Sequence, residues 1–116
     1  MSSEWIPQFG SSHDPDDSAS RNVDIGGLLR GVGGVYQSAS VFLDASNTDT
    51  DLVISVVAYD AAKQRVSWRQ IGGTRTNRAL DGDGITMREG YRIVVRVTLV
   101  DGRHYDRSVF QRIFHH

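Results

Sequence analysis

The residues of this 116-residue chain that stand nearest to a recognisable chemistry are Asp81 and Asp83, in the run Asp81-Gly82-Asp83-Gly84. Alternating carboxylates supply the hard oxygen ligands that calcium takes. A full calcium loop also needs a third ligand position and a closing acid, and Glu89 is not at that spacing; Asp49 and Asp51 could join such a site only through the fold. Asp and Gly also tolerate the positive φ of tight turns, so a turn is the expectation and no metal is assigned. The histidines are His13, His104, His115 and His116, and no serine sits in a Gly-x-Ser-x-Gly elbow. A serine nucleophile needs a base and an orienting acid close in space. Cysteine is absent, which removes disulfides, thiolate metal sites and cysteine nucleophiles together. Gly31-Val32-Gly33-Gly34 lacks the Lys-Ser/Thr that would make it a phosphate loop, and reads as a joint. The expectation is a protein that is not an enzyme and carries no cofactor.

Charge is the stronger signal. Residues 1–60 hold nine acids and two bases, residues 61–116 eleven bases and five acids, and the net is −1. Opposite potentials at the two ends favour and orient contact between copies, or between an acidic segment and a basic face. Twelve of the thirteen bases are Arg, with Lys63 the single lysine. The planar fork of Arg suits interfaces better than the point charge of Lys. Arg65, Arg69, Arg92 and Arg96 each fall opposite a core-facing set, so they form one basic outer face if their strands share a sheet, with Arg103 and Arg107 at its margin. Nucleic acid is a rival partner for such a patch, but the net charge, the acidic arm and the few exposed aromatics speak against it.

The elements that must carry these residues are read from pattern. Residues 1–34 contain both prolines, the polar run Ser11 to Ser18 and five glycines from Gly26 to Gly34, a composition unable to bury much apolar area. This is expected to be an extended arm with a Gly-rich joint, at most one helical turn forming near Leu28. Trp5, Ile6 and Phe9 would each contribute about 1.5–3 kcal/mol if buried, which marks them as anchors for a surface. From Val35 the pattern becomes strands separated by turn residues. Val35–Leu43, Leu52–Tyr59, Gln64–Ile71, a weak Thr74–Leu80, a short Ile85–Met87, Tyr91–Val100 and Arg103 to about Phe114 make roughly seven. Asp101-Gly102 is a strong hairpin signal. The fold class expected is all-β: an antiparallel two-sheet sandwich of about seven strands over residues 35–116, with the arm over 1–34. No apolar run approaches the roughly 18–20 residues needed to cross a bilayer, and the start of the chain lacks the pattern of a signal peptide, so synthesis for the cytoplasm is expected.

The segment from Met87 to Gly102, with Gly90 and Tyr91 opening the penultimate strand, resembles the corner and following strand of immunoglobulin-like and fibronectin type III-like domains. Trp68 in Val66-Ser67-Trp68 is similar to their core Trp. The resemblance implies binding or assembly and names no ligand. The functional expectation is a non-enzymatic structural protein that forms a homo-oligomer or docks on a larger assembly, in the style of virus and bacteriophage connector, tail or decoration proteins, with the virion as the corresponding location. Trp5 and Phe9 are the expected anchors, Asp14, Asp16 and Asp17 the acidic register, and Arg65, Arg69, Arg92 and Arg96 the complementary face. The alternative is a carbohydrate- or ligand-binding module using Trp5, Tyr36, Tyr59 or Tyr105 as a platform, with calcium at Asp81 and Asp83.

Overall fold

The computed structural model describes residues 18–74, 76–81 and 84–112. In chain order these form β1 (Ser18–Asp24), α1 (Gly26–Val32), β2 (Tyr36–Leu43), β3 (Leu52–Asp60), β4 (Arg65–Gly72), β5 (Arg78–Leu80), β6 (Met87–Leu99) and β7 (His104–Arg112). The strands make two antiparallel sheets. One has the order β1-β4-β3; in the other β6 is central, with β7 on one edge and β2 and β5 sharing the opposite edge. This is the sandwich of about seven strands that the alternation implies.

The strand count is reached by a different route. Residues 18–34 depart from the expectation of an arm and joint: they supply β1 and α1. β1 runs along β4 from Ser18 opposite Ile71 to Asp24 opposite Arg65, and buries Val23 against the core. Its composition is polar because one face looks at solvent, and its ordering is supported by the backbone groups that β4 offers. In α1 the burial of Leu28 and Leu29 overrides the poor propensity of its glycines. Asp24 Oδ1 accepts a hydrogen bond from the Gly26 N–H at 2.8 Å. Gly33, at φ 64, ends the helix in the left-handed region. The expected strand at residues 74–80 contracts to β5, and Met87 begins β6 instead of ending a separate strand.

The core lies between the sheets. Val66 and Trp68 of β4 and Leu52 of β3 meet Tyr91, Ile93, Val95, Val97 and Leu99 of β6, with Val109 of β7 and the α1 leucines closing the cluster. Polar groups enter it in a connected chain. Trp68 Nε1 donates to Gln70 Oε1 at 3.1 Å, Gln70 Nε2 donates to Gln111 Oε1 at 3.1 Å, and Arg21 Nε donates to the same oxygen at 2.8 Å. These residues belong to β4, β7 and β1, so the network ties one sheet to the other across the interior. Burial pushes the Arg21 pKa down. A satisfied buried network of this kind fixes a single mutual register, since any slip strands several groups at once.

The sharing of one β6 edge needs a further device. β2 reaches only to Leu43 opposite Ile93, and β5 begins at Arg78 opposite Glu89, which leaves residues 90–92 without a strand on that side. Two asparagine side chains fill the interval. Asn47 Nδ2 donates to the Arg92 carbonyl at 2.8 Å while its Oδ1 accepts from the Arg92 N–H at 3.0 Å, which reproduces a ladder pair with a side chain. Asn77, fully buried, donates from Nδ2 to the Gly90 carbonyl and to Asn47 Oδ1, and its own carbonyl accepts from the Gly90 N–H at 2.9 Å. Its Oδ1 accepts from the Asp49 N–H at 2.7 Å, so the loop between β2 and β3 is fastened by the same residue. Gly90 itself sits at φ 147, and a Cβ there would stand 2.6 Å from the Gln111 carbonyl oxygen, so the crossing tolerates only glycine.

Replacing Asn77 by Ala leaves two backbone partners unsatisfied, the buried Gly90 carbonyl and the half-buried Asp49 N–H. Each costs about 1–3 kcal/mol, so urea denaturation should report a loss of about 2–4 kcal/mol for Asn77→Ala; a loss within experimental error of zero would show that the amide bridge is dispensable.

Candidate functional site

The two sheets place the arginines expected to act together on different surfaces. Arg65 and Arg69 lie on the outward face of β4, and Arg92 and Arg96 on the outward face of β6. The single basic face is therefore corrected: β4 pairs with β3 and β1, β6 with the other strands, and the outer faces of a sandwich point in opposite directions. Alternation decides which side of its own sheet a residue takes. It is silent on which sheet the strand joins.

Their surroundings also differ. Arg96 makes a bidentate pair with Asp106, Nε to Oδ1 at 2.8 Å and Nη2 to Oδ2 at 3.0 Å, and its guanidinium carbon lies 5.2 Å from the centre of the Phe42 ring. Arg92 is half-buried, donates from Nη1 to the carbonyls of Leu80 and Asp81 at 3.2 Å, and holds its Nε 4.0 Å from Asp44. These two cations serve the fold's own loops and neighbouring strand. Arg65 stands between Asp24 and Asp60 in the cross-strand register, and Arg69 between Ser20 and Ser55.

The outer face of the β1-β4-β3 sheet thus changes character along its length. Rows across it read Asp24–Arg65–Asp60, Asn22–Ser67–Ala58, Ser20–Arg69–Ser55 and Ser18–Ile71–Val53. The last row ends in two exposed apolar side chains, Val53 at 54% and Ile71 at 47% of full exposure. It is also the row at which the chain enters the described fold, through Ser18. Trp5, Phe9, Asp14, Asp16 and Asp17 lie outside the described residues.

β3 borders this face. Its pairing with β4 shifts between Ser55 and Ala58, and Val56 at φ 52 occupies the left-handed region. For a β-branched residue that conformation costs of order 1–3 kcal/mol. Its side chain is 72% exposed, so packing does not compensate. A bulge of this kind interrupts the row of free backbone groups that would otherwise accept another strand.

Asp81 is ion-paired to Arg88 and closes a turn, accepting the Gly84 N–H at its carbonyl at 2.9 Å, while Asp83 lies outside the described residues. Among the described residues no three of His, Cys, Asp and Glu come together as a metal site. Asp49 and Asp51 are neighbours, and the Asp49 charge pushes the Asp51 carboxyl up. Asp49 also accepts the Asp51 N–H at 2.8 Å, so the pair shapes its own loop. Tyr36 and Tyr59 stack with ring centres 3.7 Å apart and planes 18° from parallel. Both phenols titrate above the ordinary range, chiefly because burial disfavours the phenolate. They wall a cavity of about 500 Å³ completed by Leu29, Gly34, Val35, Ala61 and Gln64. Tyr105 is half-buried beside Arg103, whose Nη1 donates to its hydroxyl at 3.4 Å.

Sequence reasoning missed the residues that organise these surfaces. Gln70 shares the inward set of Val66 and Trp68, and Gln111 and Arg107 share that of Val109. A polar residue in an inward register was the available signal. Asn47 carried none, because it lies in a polar loop between strands, and neither did Asn77, which falls in the expected weak strand Thr74–Leu80 with no apolar alternation around it. No known protein family matches this chain, and no curated protein does.

The Arg96 pair holds the Asp106 carboxyl below the usual carboxylate range, by its hydrogen bond first and its charge second. A carboxyl depressed in the folded state stabilises that state at neutral pH, and the contribution fades as pH falls through the depressed value. Carboxyl-detected NMR titration should place Asp106 below the reference of about 3.9 and return it toward that value in Arg96→Gln; no movement would mean that the pair does not form in solution.

Proposed function

We propose that this protein is a non-enzymatic assembly module whose N-terminal segment docks on the outer face of the β1-β4-β3 sheet of a second copy. The observation that carries the reading is the row Ser18–Ile71–Val53. Two exposed apolar side chains stand beside the residue from which a segment bearing Trp5, Ile6 and Phe9 departs. Trp5 precedes Ser18 by enough chain to reach about 45 Å when extended, which spans the gap to a neighbouring molecule. Arg69 stands in the adjacent row of that face, and in this reading it is the basic counterpart of the acidic register Asp14, Asp16 and Asp17. This arrangement keeps Arg65 and Arg69 in the interface and releases Arg92 and Arg96 from it.

Face docking is favoured over strand addition at β3, because the Val56 bulge interrupts the outer edge of that strand. A contact made from one surface on the first copy and another on the second is heterologous, and closes into a ring or extends into a filament according to its rotation. A virus or bacteriophage structural component is the style of protein such a contact suits. Kinship with immunoglobulin-like sandwiches draws support from the buried Trp68 and from Tyr91, whose hydroxyl accepts the Thr74 N–H at 2.9 Å. Against it stands the β3–β4 hairpin within one sheet, where a Trp-bearing third strand of that family pairs in the sheet opposite its predecessor.

Light scattering on the full chain tests the assembly reading. Wild type should exceed the monomer mass, whereas Trp5→Ser/Phe9→Ser and Val53→Ser/Ile71→Ser should each be monomeric. An equimolar mixture of the two variants should recover a two-chain species, because one retains the receptor and the other the anchors. A monomeric wild type, or variants of unchanged mass, would sink the proposal.

A second reading, a carbohydrate-binding module, rests on the stacked Tyr36–Tyr59 pair beside its cavity. It predicts saturable binding on a glycan array that Tyr59→Ala abolishes; silence across the array would remove it.

A further inference from the structure

α1 and β7 face each other across a cavity of about 210 Å³, lined by Gly27, Leu28, Gly31 and Val32 of the helix and by Arg107 of the strand. Arg107 lies opposite Val95 in the β6–β7 register, between Tyr105 and Val109 on the inward-facing row. Its Nε is enclosed and has no hydrogen-bond partner. The other inward arginine, Arg21, is satisfied by Gln111, and Arg92, whose Nε is also unpartnered, has two carbonyl acceptors and a nearby carboxylate. An enclosed guanidinium nitrogen without an acceptor is unfavourable, and a carboxylate is the group that the planar fork of the half-buried Arg107 matches best.

The helix side of the cavity is kept open by residue choice. Gly27 and Gly31 stand one turn apart, and neither has a positive φ that would require glycine. A Cβ at Gly31 would meet nothing within 4 Å, and one at Gly27 only the tip of Arg30 at 4.0 Å. Glycine is a poor helix former, so backbone geometry and close packing leave these two positions unexplained. What they do is leave volume in front of Arg107.

We propose that this cavity binds a small apolar monocarboxylate, its carboxylate on Arg107 and its aryl or short acyl body between the two glycines and the side chains of Leu28 and Val32. The size agrees: an apolar cavity of about 150 Å³ accepts benzene, so the larger space here suits a ring bearing a carboxylate, or a short acyl chain. A single cation in an otherwise apolar lining favours a singly charged head over a phosphate dianion. The site is independent of the association proposed above, since it uses neither the N-terminal segment nor the Val53–Ile71 row.

The test titrates the full chain with benzoate, hexanoate and the neutral benzyl alcohol, followed by ¹⁵N-resolved NMR. Both carboxylates should shift the amides of residues 27–32 and 105–109 saturably, and benzyl alcohol should bind at least about tenfold more weakly, the factor expected for loss of one charge-assisted contact. Arg107→Gln should weaken benzoate by a similar factor and leave benzyl alcohol unchanged. Gly31→Leu should fill the cavity and abolish binding of all three; because it removes a glycine from a helix at an open position, its circular dichroism should remain that of the wild type. Absence of saturable shifts with either carboxylate, or benzoate binding unchanged in Gly31→Leu, would overturn the assignment.

Discussion

Every backbone donor and acceptor on β6 must be satisfied, and the arrangement of the fold follows from how that is done. β6 runs for thirteen residues through the middle of its sheet, longer than either strand on the edge opposite β7. β2 covers its C-terminal part and β5 its first residues, and between them Asn47 and Asn77 supply side-chain amides in place of a strand. An amide side chain carries the same donor and acceptor as a peptide group, so it can stand in a ladder where no main chain fits. Because Asn77 also holds the Asp49 N–H, the junction sets the path of the loop that carries the chain from one sheet to the other.

The second constraint is the polar chain through the interior. Trp68, Gln70, Gln111 and Arg21 link the three-stranded sheet to β7 and bring β1 into the body of the protein. Hydrophobic contacts across a sandwich are nearly indifferent to small slips. Hydrogen bonds at 2.8–3.1 Å are not, so these residues hold the relative placement of the faces. Arg107 belongs to the same inward layer but has no such partner, which is why the space before it reads as a binding cavity and the Gln111 region as structure.

The same two constraints distribute the surfaces. With β4 committed to β1 and β3, its outer face grades from a charged end at Arg65 to an apolar end at Ile71, where the N-terminal segment enters. With β6 committed to β7, Arg96 is neutralised by Asp106, and Arg92 is drawn inward by the loop after β5. The charge asymmetry of the sequence therefore spreads over two sides of the molecule. The association proposed here relies on apolar burial beside Ser18, with Arg69 as an accessory.

By itself the sequence determined the class of fold and most strand positions, because strand periodicity is a local property: Val66 and Trp68, or Ile93 through Leu99, alternate regardless of what they meet. It also determined the Asp101-Gly102 hairpin, where Gly102 takes φ 93. Only the tertiary structure decided that Ser18–Asp24 is a strand, since that segment's ordering depends on the edge of β4, about fifty residues away in the chain. The sheet to which each arginine belongs, the pairing of Arg96 with Asp106, the asparagine junction and the cavity before Arg107 were equally hidden. Each is a relation between distant residues, and a pattern along one strand contains no information about the strand that will lie beside it.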